Sequence, residues 1–364
     1  MKFLELATAY ELIESKTGRL EMTGILSELF KRASSDEIRK IVYLTQGSIA
    51  PPHKDIEVGM GEKFVEKSIS VASGYSMKTI EEEYKRTGDI GKAAEVLIEK
   101  KKQSSLSNEE LSVSKVFDSF MKIAKSTGHG SQELKIKLLT ELLNNSEPLE
   151  ARYIVRFPLG RLRLGVGDPT ILDGLSYYEK GDKSIREELE RAYNLSNDLG
   201  LVAETLFGDP EKIAHFTIQV FSPVRPALAE RLHSAEEIIE KIGECRVEAK
   251  YDGFRCQVHK RDEQVEIYSR KLEPMAGMFP EIVEATRKFI KSKEAILEGE
   301  AIAFNELTGE FRPFQLTIQR KRKYGIEEMT QIFPLRLFAF DLLFSDGKDY
   351  TQEPYEIRRE ALSN

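Results

Sequence analysis

The sequence predicts a multidomain protein of the α + (α+β) class, with a helical N-terminal domain followed by a domain of sheet and helix. At 364 residues the chain is long enough for two or more domains, and 40% hydrophobic residues can fill their cores. Apolar residues recur at helical spacing up to about residue 220. Beyond Pro223 and Pro226 the period-two alternation typical of strands begins. We therefore predict domains at 1–220 and 221–364.

The N-terminal domain is predicted to be a set of helices separated by breaks rich in Gly, Pro, Asn and Ser. Within each segment the apolar residues fall on one face of a helix, so that face can be buried against its neighbours. No fixed-period repeat is evident, so a solenoid is not predicted. The predicted helices are Phe3–Glu14, Thr23–Phe30, Asp36–Tyr43, Glu62–Ser73, Met77–Thr87, Ile90–Lys101, Asn108–Thr127, Ser131–Asn144, Pro148–Val155, Thr170–Tyr178 and Ser184–Leu195.

The C-terminal domain is predicted to consist mainly of strands. Arg246–Lys260 has the pattern of two strands joined by a tight Asp-Gly bend. Pro280–Lys291 is an amphipathic helix pattern. Leu335–Phe344 is almost continuously apolar, which is expected of a strand buried on both faces. Further strands are predicted at Val265–Ser269 and Ala295–Phe304.

Composition excludes some classes of protein and leaves others open. No apolar run is long enough for a membrane helix. The two cysteines lack metal-ligand spacing and indicate a reducing cytosol, so we expect a cytoplasmic protein. The net charge of −7 does not indicate a nucleic-acid partner by itself. Local basic clusters can still bind phosphates, and arginines are concentrated at 152–163 and basic residues at 320–323.

Lys250 has an unusual set of neighbours. Side chains two apart share a face of a strand, so Glu248, Lys250 and Asp252 are predicted to point the same way. Arg255 follows just beyond the bend. Such a lysine can be a solvated ion pair on an edge strand, or a nucleophile whose neighbours bind a nucleotide and tune its amine. The residues alone leave both interpretations open.

A glycine-containing loop is the second candidate site. Gly165 and Gly167 are predicted to expose backbone N–H groups near a helix start, with Arg161 and Arg163 alongside. That combination suits a phosphate anion. It is equally compatible with a helix–helix turn that carries solvated arginines.

The stretch KYDGFR resembles K-x-D-G-x-R, the first signature of the covalent nucleotidyltransferases. The longer match EAKYDGFRCQVH is similar to the ATP-dependent DNA ligases in particular. This resemblance implies part of an ATP-grasp-like nucleotidyltransferase domain with an antiparallel sheet. It also implies that Lys250 attacks the α-phosphate of ATP and carries AMP as a phosphoramidate.

Other residues take their expected roles from the same resemblance. LEGEA resembles the third ligase signature, in which Glu300 reaches the ribose of AMP and the metal region; Glu298 stands where many relatives have Asp. FAFD resembles the stretch whose Phe, here Phe340, stacks on adenine. Mg²⁺ is the expected metal because the candidate ligands are oxygen donors. The expected nucleotide-binding residues are Glu248 for adenine, Arg255 and Arg270 for sugar and phosphate, Glu300, and Phe340.

The run IVRFPLGRLRLGVGDPTILDGL resembles the helical DNA-binding domain of archaeal and eukaryotic replicative ligases. The resemblance implies that Arg161, Arg163, Gly165 and Gly167 grip the backbone of nicked duplex DNA across the minor groove. Many relatives also carry a sliding-clamp peptide led by Gln and ending in paired aromatics. Here Gln103 is present but the aromatics are not, so clamp binding is only weakly indicated.

Later ligase signatures, a second Glu-Gly strand and a K-x-K strand, are not found after Phe340, and neither is an OB-fold domain. We therefore expect a fragment of a monomeric enzyme that seals nicks in replication, repair and recombination. Two alternatives stay open: an RNA ligase or capping-type nucleotidyltransferase, and a non-catalytic nucleic-acid-binding module. Activity on nicked RNA would favour the first, and duplex binding without covalent AMP the second.

Overall fold

The computed structural model describes residues 1–101, 109–305, 307–322 and 324–364. The chain divides into two compact units. The first consists of Met1–Tyr193 with Asp198–Phe216, and the second of Asn194–Asn197 with Thr217–Asn364. None of the described helices is both long and apolar enough to span a membrane.

The first unit is helical, as predicted. Its core is formed by the apolar faces that the sequence spacing defines; helix Phe3–Glu14, for example, buries Phe3, Leu6 and Ile13. Full burial of such a side chain contributes about 1.5–3 kcal/mol. The helices that begin in this unit are α1 Phe3–Glu14, α2 Arg19–Lys31, α3 Ser35–Gln46, α4 Glu62–Ser73, α5 Met77–Thr87, α6 Ile90–Glu99, α7 Val113–Lys125, α8 Ser131–Asn145, α9 Pro148–Arg156, α10 Asp168–Lys180, α11 Arg186–Ser196 and α12 Leu199–Gly208.

Two helices of the first unit differ most from the prediction. The helix predicted at Asn108–Thr127 begins at Val113, where the Ser112 side chain accepts a hydrogen bond from the Lys115 N–H, and residue 108 lies outside the described residues. Helix α12 was not predicted at all. Its sequence, LGLVAETLFG, is apolar almost all round, so it gives no amphipathic signal even though Asp198 caps it through the Leu201 N–H.

The second unit is built on an antiparallel sheet, which confirms the predicted change of fold class. Strand order is β2-β1-β3-β5-β6, and β4 pairs with β3. The apolar core lies against this sheet and includes Val258, Ile267, Phe279 and Leu297. The strands are β1 Phe254–Arg261, β2 Gln264–Tyr268, β3 Glu294–Asn305, β4 Glu310–Phe311, β5 Leu335–Ser345 and β6 Lys348–Asp349; the helices are α13 Ala235–Ile242, α14 Pro280–Phe289, α15 Phe314–Thr317, α16 Ile326–Ile332 and α17 Tyr355–Ser363.

The predicted hairpin at Arg246–Lys260 is wrong in its first half. Residues 246–253 form no strand, and Val247 is 92% exposed. β1 pairs with β2 along one edge and β3 along the other, so the preceding segment cannot fold back along most of β1. Alternation alone does not form a strand where no edge is free to pair with it.

The prediction that β5 is buried on both faces is also wrong. Most of its residues are half-buried, and Arg336 is exposed. An antiparallel sheet can leave one face open. In β5 that open face borders the cleft described next.

Candidate functional site

The second unit contains an open cleft of about 1490 Å³. Its walls come from the segment before β1, from the open face of β5 and from α17. The structure brings every predicted nucleotide-binding residue of the chain to this one cleft. They are Glu248, Lys250, Arg255, Arg270, Glu300 and Phe340.

Gly253 places the lysine segment against β3. Its N–H donates to Oε1 of Glu300 at 3.1 Å. A Cβ at this position would press against the carbonyl oxygen of Ala301 and lie 2.8 Å from Cγ1 of Ile302. Only glycine therefore permits this close approach, which carries Lys250 toward the Glu300 carboxylate.

The Glu300 carboxylate is half-buried among charged neighbours. Burial raises its pKa above the usual range, and the nearby Asp252 carboxylate acts in the same direction. The hydrogen bond from Gly253 and the positive charges of Arg255 and Lys250 oppose that rise in pKa. These influences show that the acid, the lysine and the arginine interact electrostatically within one site.

Glu298, whose role was uncertain from the sequence, is paired with Arg255. One of its oxygens accepts a hydrogen bond from Nη2 of Arg255, and the other accepts one from Nε2 of Gln257 at 3.0 Å. Its side chain is only 11% exposed. A buried carboxylate needs such partners, so Glu298 holds the arginine at the cleft.

The Arg255 guanidinium also covers an aromatic ring. Its Cζ lies 4.7 Å from the centroid of the Phe340 ring, within the range of a cation–π contact. The Nε atom of Arg255 is buried and makes no hydrogen bond within the described part of the chain. A ligand would therefore meet the rest of the Arg255 guanidinium rather than this buried atom, since the side chain is 34% exposed.

Several aromatic residues that line the cleft were missed in the sequence, among them Phe338 and Tyr355. Phe338 lies two residues before Phe340, and its ring centroid is 5.2 Å from that of Tyr251. The period-two rule applied to β5 would have placed Phe338 beside Phe340. Tyr355 donates a hydrogen bond to Oε1 of Glu248 at 2.5 Å, a contact between residues 107 positions apart that no local pattern indicates.

The glycine loop lies in the first unit, between α9 and α10. Gly165 has φ +69°, and Gly167 is the N-cap of α10. Nη1 of Arg161 is 2.8 Å from Oε2 of Glu62, and Nη1 of Arg163 is 2.9 Å from Oδ2 of Asp89. Both arginine side chains are about half exposed. Glu62 is exposed as well, and exposed ion pairs of this kind are weak, so a phosphate could compete for Arg161. Asp89 is buried and also pairs with Arg156, so Arg163 offers a phosphate only the exposed part of its guanidinium.

Comparison with known proteins finds two matching family models along the chain. A family model described as "DNA ligase N terminus" matches residues 2–176. A second, described as "ATP dependent DNA ligase domain", matches residues 226–364. The chain belongs to the family of ATP-dependent DNA ligases.

Relatives in this ligase family align along the whole chain. It is 46% identical over 363 residues to "Probable DNA ligase" of Dictyoglomus turgidum and 44% identical over 365 residues to "DNA ligase 2" of Korarchaeum cryptofilum. It is 42% identical over 364 residues to "DNA ligase" of Nitrosopumilus maritimus. These alignments cover 100% of this chain but 61%, 61% and 62% of the relatives, so the chain spans less than two thirds of their length.

The donor set of this ligase-family cleft suits a metal shared with a phosphate. Among the described residues, no group of three or more His, Cys, Asp or Glu side chains could hold a metal ion. Mg²⁺ commonly takes one or two protein carboxylates and completes its shell with water and substrate phosphates. Glu300, with Asp252 nearby, fits that arrangement.

The expected clamp residue Gln103 lies outside the described residues.

Proposed function

We propose that the protein containing this chain is an ATP-dependent DNA ligase that seals nicks in duplex DNA through a lysine–AMP intermediate. The observation that supports it is the convergence of Lys250, Glu300 and Arg255 on one cleft. Replication, repair and recombination all leave such nicks, and they are the proposed setting.

The proposed chemistry has three steps. Nζ of Lys250 attacks the α-phosphorus of ATP, and the bond to pyrophosphate breaks. The 5′-phosphate of the nick then takes AMP from the lysine. Finally the 3′-hydroxyl attacks that phosphate and releases AMP, which closes the strand. Bound Mg²⁺ would neutralise charge on the phosphate oxygens during these transfers.

The chain's own side chains would bind and orient the nucleotide. Phe340 lines the cleft and would stack on adenine beside the Arg255 guanidinium that contacts its ring, and Glu248, held by Tyr355, offers a carboxylate for the edge of the base. Arg255 and Arg270 offer cations for sugar and phosphate. Glu300 would contact the ribose and share the metal. Phosphoryl transfer depends mainly on such positioning and charge.

In the first unit we propose that Arg161, Arg163, Gly165 and Gly167 bind the backbone of the duplex. Their exposed cations and the α10 N-terminus support this role. We further propose that the protein acts as a cytoplasmic monomer and that the segment around Gln103 contributes a weak clamp contact.

Intact mass after incubation with ATP and Mg²⁺ tests the proposed nucleophile. We expect the longer protein to gain the mass of one AMP and to lose it on addition of pyrophosphate. Lys250→Ala should abolish the gain, whereas Lys288→Ala, a change to an exposed lysine outside the cleft, should retain it. An adenylated Lys250→Ala protein would refute the assignment of the nucleophile. A protein that seals nicked RNA but not nicked DNA would show that the substrate is RNA.

A further inference from the structure

A chain of buried polar side chains leads from the core of the sheet to the nucleotide cleft. Counted over the whole residue, His259 is 0% exposed, Gln257 2% and Glu298 8%. They are joined in that order, and Glu298 then pairs with Arg255 at the cleft. We call these four residues the buried polar chain. None of the steps described above uses Gln257 or His259.

The donors and acceptors of the buried polar chain are fixed by the backbone. The N–H of Phe221 donates to Nδ1 of His259 at 2.9 Å, so Nε2 carries the proton of the neutral ring. That Nε2–H donates to Oε1 of Gln257 at 2.9 Å. The amide of Gln257 is thereby oriented, and its NH₂ group faces Glu298.

Gln257 makes as many hydrogen bonds as an amide can. Its oxygen accepts from His259 and from the N–H of Val224 at 2.7 Å. Its NH₂ group donates to the carbonyl of Val224 at 3.0 Å and to Oε1 of Glu298 at 3.0 Å. With two bonds on each end, the amide cannot rotate without losing several of them.

The same side chain holds a wall of the cleft. The segment 221–224 is bound to the sheet through Phe221 and Val224, and Phe221 has a left-handed φ of +70° that a non-glycine residue adopts only when held. The polypeptide then continues into residues 226–229, which line the cleft. Gln257 therefore connects one wall of the cleft with Arg255.

From this geometry we propose that Gln257 is a positioning residue of the nucleotide site. Its amide orients Glu298, Glu298 holds Arg255 toward the cleft, and His259 sets the direction of the amide. The proposal rests on the proposed function, because it assigns Gln257 a role in binding ATP.

A double-mutant cycle on ATP affinity tests the proposal. It is measured by calorimetry on the longer protein in a Lys250→Ala background, so that no covalent step intervenes. Gln257→Met keeps the side-chain length and removes the hydrogen bonds. We expect it to weaken ATP binding about fivefold, the scale of one or two lost hydrogen bonds, and Arg255→Met to weaken it at least as much. The double variant should equal Arg255→Met alone, because Gln257 acts through Arg255.

Tyr268→Phe is the matched control. The Tyr268 hydroxyl donates to the carbonyl of Phe221 at 3.2 Å, so its loss loosens the same segment without touching Glu298. We expect ATP affinity to be unchanged in this control. Where Gln257→Met does not give a cooperative thermal transition, ATP affinity is measured in Glu298→Gln instead. That variant keeps the shape of the side chain and removes the charge that holds Arg255, so it tests the link through which Gln257 acts.

The outcomes separate this inference from the proposed function. Weakening by Gln257→Met that multiplies with that of Arg255→Met, or an equal loss in Tyr268→Phe, would make Gln257 a structural residue and overturn the inference alone. Normal ATP affinity in Gln257→Met, with weak binding in Arg255→Met, would do the same. Normal affinity in Arg255→Met would overturn the nucleotide site itself, and the inference with it.

Discussion

Gly253→Ala should slow self-adenylation much more than it lowers the free energy of unfolding. The added methyl group would press on the Ala301 carbonyl oxygen and lie 2.8 Å from Cγ1 of Ile302. β3 cannot move away, because it pairs with β1 on one side and β5 on the other. The segment before β1 can move, because residues 246–253 form no strand. We therefore expect that segment to shift away from β3.

The expected magnitudes follow from that shift. An unrelieved clash would cost about 1–3 kcal/mol, and the lost bond from the Gly253 N–H to Glu300 about 1 kcal/mol. Because the loose segment yields, we expect the free energy of unfolding to fall by only about 1–2 kcal/mol in all. Lys250 moves with the segment, and a displacement of about 1 Å can slow a positioned reaction about 100-fold. The loss of rate should exceed what the loss of stability explains.

The assay compares two quantities in one variant. Self-adenylation of the longer protein is followed by intact mass, and unfolding of the same protein by urea. Gly277→Ala is the control, since a Cβ at Gly277 meets nothing within 4 Å. We expect Gly277→Ala to adenylate at the normal rate. A Gly253→Ala protein that adenylates normally, or that loses rate only in proportion to its unfolded fraction, would refute the reasoning.

Three further predictions concern the helical unit. Arg161→Ala with Arg163→Ala should weaken duplex binding equally across sequences and lower the slope of log affinity against log salt by about 2, and an unchanged slope would exclude the loop from the interface. Burial raises the pKa of Glu150 from 4.5 to about 7. The free energy of unfolding should therefore fall as the pH rises from 4.5 to about 7. Glu150→Gln should then add about 3 kcal/mol of unfolding free energy at pH 8 and nothing at pH 4, as urea titrations at the two pH values would show. Gly91→Ala should destabilise the fold by about 1–3 kcal/mol, because its Cβ would lie 2.7 Å from the backbone oxygen of Arg152. Gly24→Ala should stabilise the fold slightly, because a Cβ at Gly24 meets nothing within 4 Å. Thermal melts that rank the two variants the other way would contradict this.

Local patterns predicted what depends on local physics. Helix α4, Glu62–Ser73, and helix α5, Met77–Thr87, have the predicted bounds, because spacing of apolar residues and Gly or Ser at the ends determine them within a few residues. β3, Glu294–Asn305, was predicted to within one residue at each end. The assembly of the nucleotide cleft was predicted through family signatures rather than through spacing. The roles assigned to its residues stay predictions.

Contacts between distant residues could not be predicted. Arg161 meets Glu62 across 99 positions, Arg163 meets Asp89 across 74, and Gln257 meets Glu298 across 41. No periodicity within one element specifies such a pair. The missing strand at 246–252 has the same origin, because strand formation depends on whether another strand offers an edge.

The charge of the cleft is compatible with the proposed binding of ATP by an acidic chain. The chain carries −7 overall, yet among the described residues that line the cleft six side chains are cationic and four are acidic, a local balance of +2. Fields inside a cleft are focused by its low-dielectric walls, so the local balance matters more than the total. The acids are also not idle charge: Glu300 accepts from Gly253, and Glu248 accepts from Tyr355. These two acids hold neighbouring groups of the cleft in place, whereas Arg255 is itself paired with Glu298 and Lys321 with Glu273. The cationic residues are Lys250, Arg255, Arg270, Lys271, Lys321 and Arg359, and the acidic ones are Glu248, Asp252, Glu273 and Glu300.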